Sequence, residues 1–368
     1  RYFPNVECTK FKMPDECLDL ELQWESRLEK TFNAFTVGKI FRQTEDCLVV
    51  GGEDGMITVY EIPTVKNSVK SISLKEFFKL ETKGGPIETL CLHDVTKFGS
   101  EDLIVADSKG TLTFFGNKQI LYKTMISEGC ISALAVDIDT AHNLSIVVGD
   151  HEGNIVGCLP HCTQWRLRLN DMITSNKETA QATVTSLLSI KLPVSSTLVG
   201  NYVLVADSNK NLHVLQNGTV VRSLEMSSVV NTMCSGFFLE DVDSSTTVST
   251  HSTVTTGLPY QVALGMEDGR IFILNNFNST LYANIKLTLT KLAACSLGKS
   301  VDILLCCGYF NSVLIYHNSL LMRKVATNDW VNSIEVMPSK GKHEHCVYLG
   351  TLDGIIQSYG INMLSKPV

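Results

Sequence analysis

A chain of 368 residues that is 44% hydrophobic and 19% charged can bury one large core or two to three small ones, and its composition excludes disorder, collagen and coiled coil. Its 31 Lys and Arg against 38 Asp and Glu leave a net charge of −7, without the clustered basic surface that phosphate contacts require, so nucleic acid is not an expected partner. The most apolar stretch, 301–315, is interrupted by Asp302, Gly308 and Asn311 and falls short of the roughly eighteen residues of a membrane-spanning helix, so no direct membrane insertion is expected.

The chain begins at Arg1 without a leader pattern, which suggests a fragment whose targeting signal is unreadable. The first predicted element is Leu20–Leu28, LELQWESRL, which alternates apolar and polar residues like a half-buried strand; an amphipathic helix is the alternative. Seven segments with one shared pattern follow. They are CLVVGGEDGMITVY from Cys47, DLIVADSKGTLTFF from Asp102, SIVVGDHEGNIVGC from Ser145, YVLVADSNKNLHVL from Tyr202, QVALGMEDGRIFIL from Gln261, ILLCCGYFNSVLIY from Ile303 and CVYLGTLDGIIQSY from Cys346. Each has an apolar strand, a tiny residue, a short polar stretch, a turn residue and a second strand.

The tiny position holds Gly51, Ala106, Gly149, Ala206, Gly265, Cys307 and Gly350, where neighbouring units are expected to approach closely. Four residues later stand Gly55, Gly110, Gly153, Lys210, Gly269, Asn311 and Gly354; Gly and Asn suit the positive φ of a hairpin turn, and Lys210 departs from that rule. A strand precedes each hairpin and another follows, giving four antiparallel strands per repeat. That unit, with no βαβ rhythm beside it, predicts an all-β fold: a seven-bladed β-propeller in one domain over 1–368. The blades are expected at 32–81, 87–126, 131–169, 184–226, 229–287, 289–325 and 331–360. The seventh lacks its own fourth strand, and 20–28 is expected to supply it and close the ring. Three insertions interrupt the rhythm, at Pro63–Ser73, Asn170–Ala182 and the Ser/Thr-rich Glu240–Gly257, the last a loop and a candidate phosphorylation target.

Catalytic and metal signatures are weak. No G-x-S-x-G elbow and no GxxxxGK[ST] loop occurs. His343-Glu344-His345 and Cys158–Cys162 have ligand types at close spacing but lack the further ligands of a zinc site, so no catalytic residue, cofactor or metal is assigned. The acidic loops at Asp94, Asp137–Asp139 and Asp241–Asp243 each offer too few carboxylates for calcium and are read as structural turns. The twelve cysteines lie mostly in apolar runs, as reduced core residues would, which predicts a cytoplasmic protein; three glycosylation sequons are at the chance level.

Segments such as Cys91-Leu-His-Asp-Val…Glu101-Asp-Leu-Ile-Val-Ala-Asp-Ser-Lys-Gly110 and Ala135-Val-Asp-Ile-Asp139…Ser145-Ile-Val-Val-Gly-Asp-His-Glu-Gly153 resemble degenerate, calcium-free FG-GAP/WD-like blades. The last third is similar in layout to the intracellular FG-GAP propellers of the KICSTOR complex (kaptin and its FG-GAP partner) and of the Bardet-Biedl ciliary coat. The Trp-Asp ending of true WD repeats is missing from all seven units. The resemblance implies a non-enzymatic subunit of a multiprotein assembly, cytoplasmic and recruited to an organelle membrane or cilium, with protein partners and no small-molecule substrate. An extracellular FG-GAP-type receptor propeller and a channel-site enzyme are the alternatives. The latter would need polar residues converging from the innermost strands, where Phe35, Val37, Leu90, Leu92, Leu134, Val136, Leu187, Leu292 and Ile334 read as packing between blades.

The hairpin tips supply the candidate partner-binding rim. Glu53, Asp54, Asp107, Asp150, Glu152, Asp207, Glu267, Asp268 and Asp353 stand there against Lys109 and Lys210. Such a rim would attract a basic segment of a partner. Turn chemistry accounts for many of the aspartates, but does not call for Glu53, Glu152 and Glu267.

Overall fold

The computed structural model describes residues 17–63, 71–172, 181–193, 199–240, 261–297, 301–339 and 343–364. Its strands form seven four-stranded antiparallel sheets, each the product of consecutive strands except the one that joins the two ends of the chain. The innermost strands are Phe32–Gly38, Ile87–His93, Ile131–Ile138, Val184–Pro193, Val230–Gly236, Leu289–Cys295 and Val331–Pro338. Each packs beside the next, and the seventh beside the first, around a central channel. This is a seven-bladed β-propeller.

Closure follows the sequence expectation, with a longer strand. Cys17–Arg27 pairs antiparallel with Ile355–Leu364 from Cys17↔Leu364 to Arg27↔Ile355, because the last strand runs past Tyr359 and offers an edge along its whole length. A periodic hydrogen bond shows how well it substitutes for a native fourth strand. In blades one to six the carbonyl of Gly55, Gly110, Gly153, Lys210, Gly269 or Asn311 accepts the N–H that ends the same blade's outer strand, from Thr82, Ile126, Leu169, Met226, Ile285 or Thr327. In blade seven Gly354 accepts it from Leu28, at 2.9 Å.

The core is divided into seven apolar clusters, one at each blade interface. The tiny hairpin residues sit at these interfaces. A Cβ on Gly149 would lie 2.5 Å from Val184 Cγ1 of the next blade, and one on Gly350 would meet Phe32 and Phe35 across the closure at 2.7 and 2.8 Å. Alanine is normally preferred to glycine in a strand, so Gly149→Ala tests this packing by sign. It is expected to destabilise the protein by about 1–3 kcal/mol through overpacking, read as a lower denaturant midpoint, and a higher midpoint would refute the close approach.

Two expectations need correction. Asn311 is not a positive-φ turn residue: the sixth hairpin turns tightly at Gly308–Phe310 with Tyr309 at its tip, and Asn311 already belongs to the next strand. Lys210, the exception to the glycine rule, does adopt a φ of 65°. The first insertion is not wholly outside the sheet architecture either, because Ile72 donates its N–H to Glu25 of the closing strand and Ser71 bridges to the same residue. The second begins with a single 3-10 turn, Leu169–Met172. Asp241, Asp243 and the Ser/Thr-rich segment from 241 to 257 lie outside the described residues.

Candidate interaction face

The seven hairpins and the turns between blades share one end of the ring. The N–H of the hairpin residue two places after the tiny position donates to the carbonyl just before the inner strand of its own blade, from Ser108 to Pro86, His151 to Cys130, Ser208 to Thr183, Glu267 to Val229, Tyr309 to Thr288 and Leu352 to Trp330. Hairpin tips and inner-strand entries thus form a continuous surface around the channel mouth.

The structure resolves the nine rim acids into three groups. Asp107, Asp150 and Asp207 are buried directly after the tiny residue. Their Oδ1 atoms accept the N–H groups of Lys109 and Thr111, of Glu152 and Asn154, and of Asn209 and Asn211. Their second oxygens reach further, Asp107 to Gly85 N, Asp150 to the Ser127 hydroxyl and Asp207 to His213 Nε2. Burial works against the charge on Asp207, but the hydrogen bonds from His213 and Asn211 outweigh it and hold its carboxyl below the usual range.

Blades one, five and seven have Gly52, Met266 and Thr351 in place of that buried aspartate, and an aspartate two residues later takes over. Asp54 caps Met56 N and pairs with Lys30, whose hydrogen bond lowers its pKa. Asp268 caps Arg270 N and pairs with the Arg270 guanidinium. Asp353 accepts from the Thr351 hydroxyl and lies 3.3 Å from Arg27. All six aspartates therefore have structural partners. Glu53, Glu152 and Glu267 take no part in capping: Glu53 accepts from the Thr31 hydroxyl, and Glu53 and Glu267 are exposed at the tips.

The inner strands hold features that sequence reasoning missed. Each has a bulge opposite its hairpin, and the bulged residue is polar in all seven: Asn33, Glu88, Ser132, Thr185, Asn231, Thr290 and Asn332. An innermost strand has an unpaired edge, and these side chains cover it. Ser132, Thr185, Asn231 and Asn332 donate to the carbonyls of Val184, Val230, Leu289 and Phe32 in the next blade, at 2.6–3.0 Å. Farther along, Lys291 and Glu335 face the channel from adjacent blades. Loss of bulk solvent within the ring pushes the Glu335 carboxyl up to about 7, against a hydrogen bond from Thr36 and the attraction of Lys291; it also lowers the pKa of the Lys291 amine, although that residue remains exposed to solvent. Glu335 is felt as far away as Cys91 in blade two, whose thiol burial raises to about 12.

Among the described loops weighed for calcium, Asp137 accepts from the Ser189 hydroxyl and the Asn201 amide of the next blade, and the other two carboxylates cap their own backbones. Asp94 accepts the N–H groups of Phe98 and Gly99, and Asp139 those of Ala141 and Asn143. His343 is buried between Glu21 and Asn362. Among the described residues no three His, Cys, Asp or Glu side chains gather where they could hold one metal ion, and no helix is long and apolar enough to cross a membrane.

No protein-family model and no curated protein sequence matches the chain. Solved structures do. BBS1N in complex with ARL6DN superposes with a TM-score of 0.65 at 12% identity, covering 91% of this chain and 93% of that one in a mercury-soaked crystal. A lead-soaked crystal of the same complex gives 0.65 and 12%, over 93% and 95%. The WD40 β-propeller domain of Doa1 gives 0.63 at 12% identity, over 93% and 97%. These likenesses establish the seven-bladed propeller fold. No family or sequence match links the chain to the KICSTOR propellers.

Proposed function

We propose that this propeller is a non-enzymatic, protein-binding subunit of a multiprotein complex, and that it binds through the hairpin face. The carrying observation is the division of labour among the rim acids: six aspartates build the turns, whereas Glu53 and Glu267 at the tips, and Glu152 beside the His151 tip, have no role in capping them. A propeller crystallised with a protein partner, BBS1N with ARL6DN, supports the reading by likeness of fold. A cytoplasmic site of action, at an organelle membrane or cilium, is part of the same proposal.

The test is affinity purification with crosslinking mass spectrometry on the full chain, compared with the variant Glu53→Gln/Glu152→Gln/Glu267→Gln, which leaves every cap intact. Crosslinks should map to the hairpins and inter-blade turns. The variant should bind its partner several-fold more weakly at low salt, with the difference vanishing at high salt. Crosslinks confined to the opposite face, or binding without any salt-dependent difference, would overturn the reading.

A further inference from the structure

One arc of the hairpin face departs from the rest. At the exposed tip position, blades five, six, seven and one carry Glu267, Tyr309, Leu352 and Glu53 in that order around the ring. Tyr309 is 56% exposed and Leu352 49%. Between them Trp330, 40% exposed, stands in the turn that enters blade seven. The strip is continuous: the Tyr309 and Trp330 rings lie 4.9 Å apart at 42°, and Leu352 donates its N–H to the Trp330 carbonyl at 3.0 Å. On the other side Tyr309 bonds to the carbonyl of Thr288, next to Leu287, which is 48% exposed and packs beside the blade-five hairpin at Gly269.

Tip side chains of this kind are not needed for the turn, since the equivalent tips of other blades hold Ser108, His151 and Ser208 and make the same backbone bond to the entry of the inner strand. Aromatic and aliphatic side chains grouped on a surface are the usual anchors of an interface. The charge at the ends of the strip restricts what can cover it. Glu267 closes the blade-five end and Glu53 the blade-one end, while Asp353 before Glu53 is already paired with Arg27. We infer that the strip docks a short linear segment of a partner protein, one with two apolar side chains for the Leu287–Tyr309–Trp330–Leu352 surface and Lys or Arg on both sides of them. The inference rests on the hairpin face being the binding face, and it names the chemistry of the partner there.

A displayed library of random twelve-residue peptides, selected on the full chain, tests it. Enriched peptides should combine two apolar residues with basic flanks, and should shift and blue-move the emission of Trp330, whose indole alone among the three tryptophans lies in the strip. Trp330→Ser/Leu352→Ser should weaken their binding at least tenfold while leaving the melting temperature in place, as both side chains are exposed. Glu53→Gln/Glu267→Gln should weaken it less and flatten its salt dependence. Enriched peptides that bind the wild type and the Ser variant alike would overturn the strip and leave the broader hairpin-face proposal standing, since that is judged separately by where partner crosslinks fall. Failure to enrich any peptide, or a dimer of the chain that disappears in the Ser variant, would also overturn it, the latter by assigning the strip to a second copy.

Discussion

Deleting residues 1–28 is expected to abolish the cooperative folding of the whole ring rather than to trim one edge. The closing strand pairs with Ile355–Leu364 through ten aligned residue pairs and buries Leu18, Trp24 and Ser26. Trp24 is 1% exposed, packs on Tyr348 with ring centroids 6.1 Å apart, and belongs to the cluster that joins blades seven and one. Other elements depend on the strand too: Arg323 of blade six donates to the Leu18 carbonyl, and Ile72 of blade one to that of Glu25. Truncating a buried tryptophan costs about 3–5 kcal/mol, a large share of the roughly 5–15 kcal/mol that holds an ordinary domain together. Loss of the entire strand also bares a long, apolar sheet edge, which favours aggregation. The deletion should therefore appear as insoluble or non-cooperatively melting protein, and Trp24→Ala as a folded protein with a sharply lower urea midpoint. A deletion that melts like the wild type would disprove closure.

The blade pattern was legible because a propeller repeats its constraints. A tiny residue where the next blade's inner strand crowds in, and a positive-φ residue where the hairpin turns, recur at fixed spacing and survive the loss of any other identity. Leu20–Leu28 was recognisable as a strand from its alternation and from the gap it fills, but Cys17–Asp19 could not be added to it from the sequence, because their pairing partners beyond Tyr359 were not recognised as strand. Blade six misled for a physical reason: the Cys306/Gly308 register shift shortens its turn, so the residue four places after Cys307 has already returned to the sheet. The similarity of the blades hid that difference.

The site was harder to read. Acidic tips were visible, yet two different capping arrangements share the same count of aspartates, and only the hydrogen bonds separate Asp107, buried after the tiny residue, from Asp54, exposed two places later. The belt of bulged residues left a trace in Phe-Asn-Ala-Phe, Ile-Ser-Ala-Leu, Val-Thr-Ser-Leu and Val-Asn-Ser-Ile, where a polar residue follows the first apolar one of each inner strand. Attention to the apolar half of that alternation, which does fill the interfaces at Phe35, Leu90 and Leu292, obscured the residues that face the channel. Lys291 and Glu335 belong to that overlooked half.

Glu335 gives the channel a measurable pH dependence. Its carboxyl is pushed up to about 7 from an ordinary value of 4.5, burial being the main cause, with the Thr36 hydrogen bond and the Lys291 charge resisting. In the unfolded chain the group ionises near its ordinary value, so between that value and about 7 the native protein holds a proton that the unfolded one has lost. Stability from this group therefore falls as pH rises through that window, by about 3 kcal/mol at most. The depressed aspartates act elsewhere and with the opposite sign. Asp207, held down by His213 and Asn211 against its burial, and Asp54, held down by Lys30, lend stability above the ordinary aspartate value of 3.8 that is lost only as pH falls further. Glu335→Gln keeps an acceptor for Thr36 and removes the titration. Against the wild type it should melt at the same temperature at pH 4 and at a clearly higher one at pH 8, the difference growing across the window. Lys291→Met should enlarge that difference when used as the background, because the cation that eases the ionisation of Glu335 is gone. Equal melting temperatures for Glu335→Gln and wild type at both pH values would mean that water in the channel solvates the carboxylate fully and that the charge on Glu335 carries no cost.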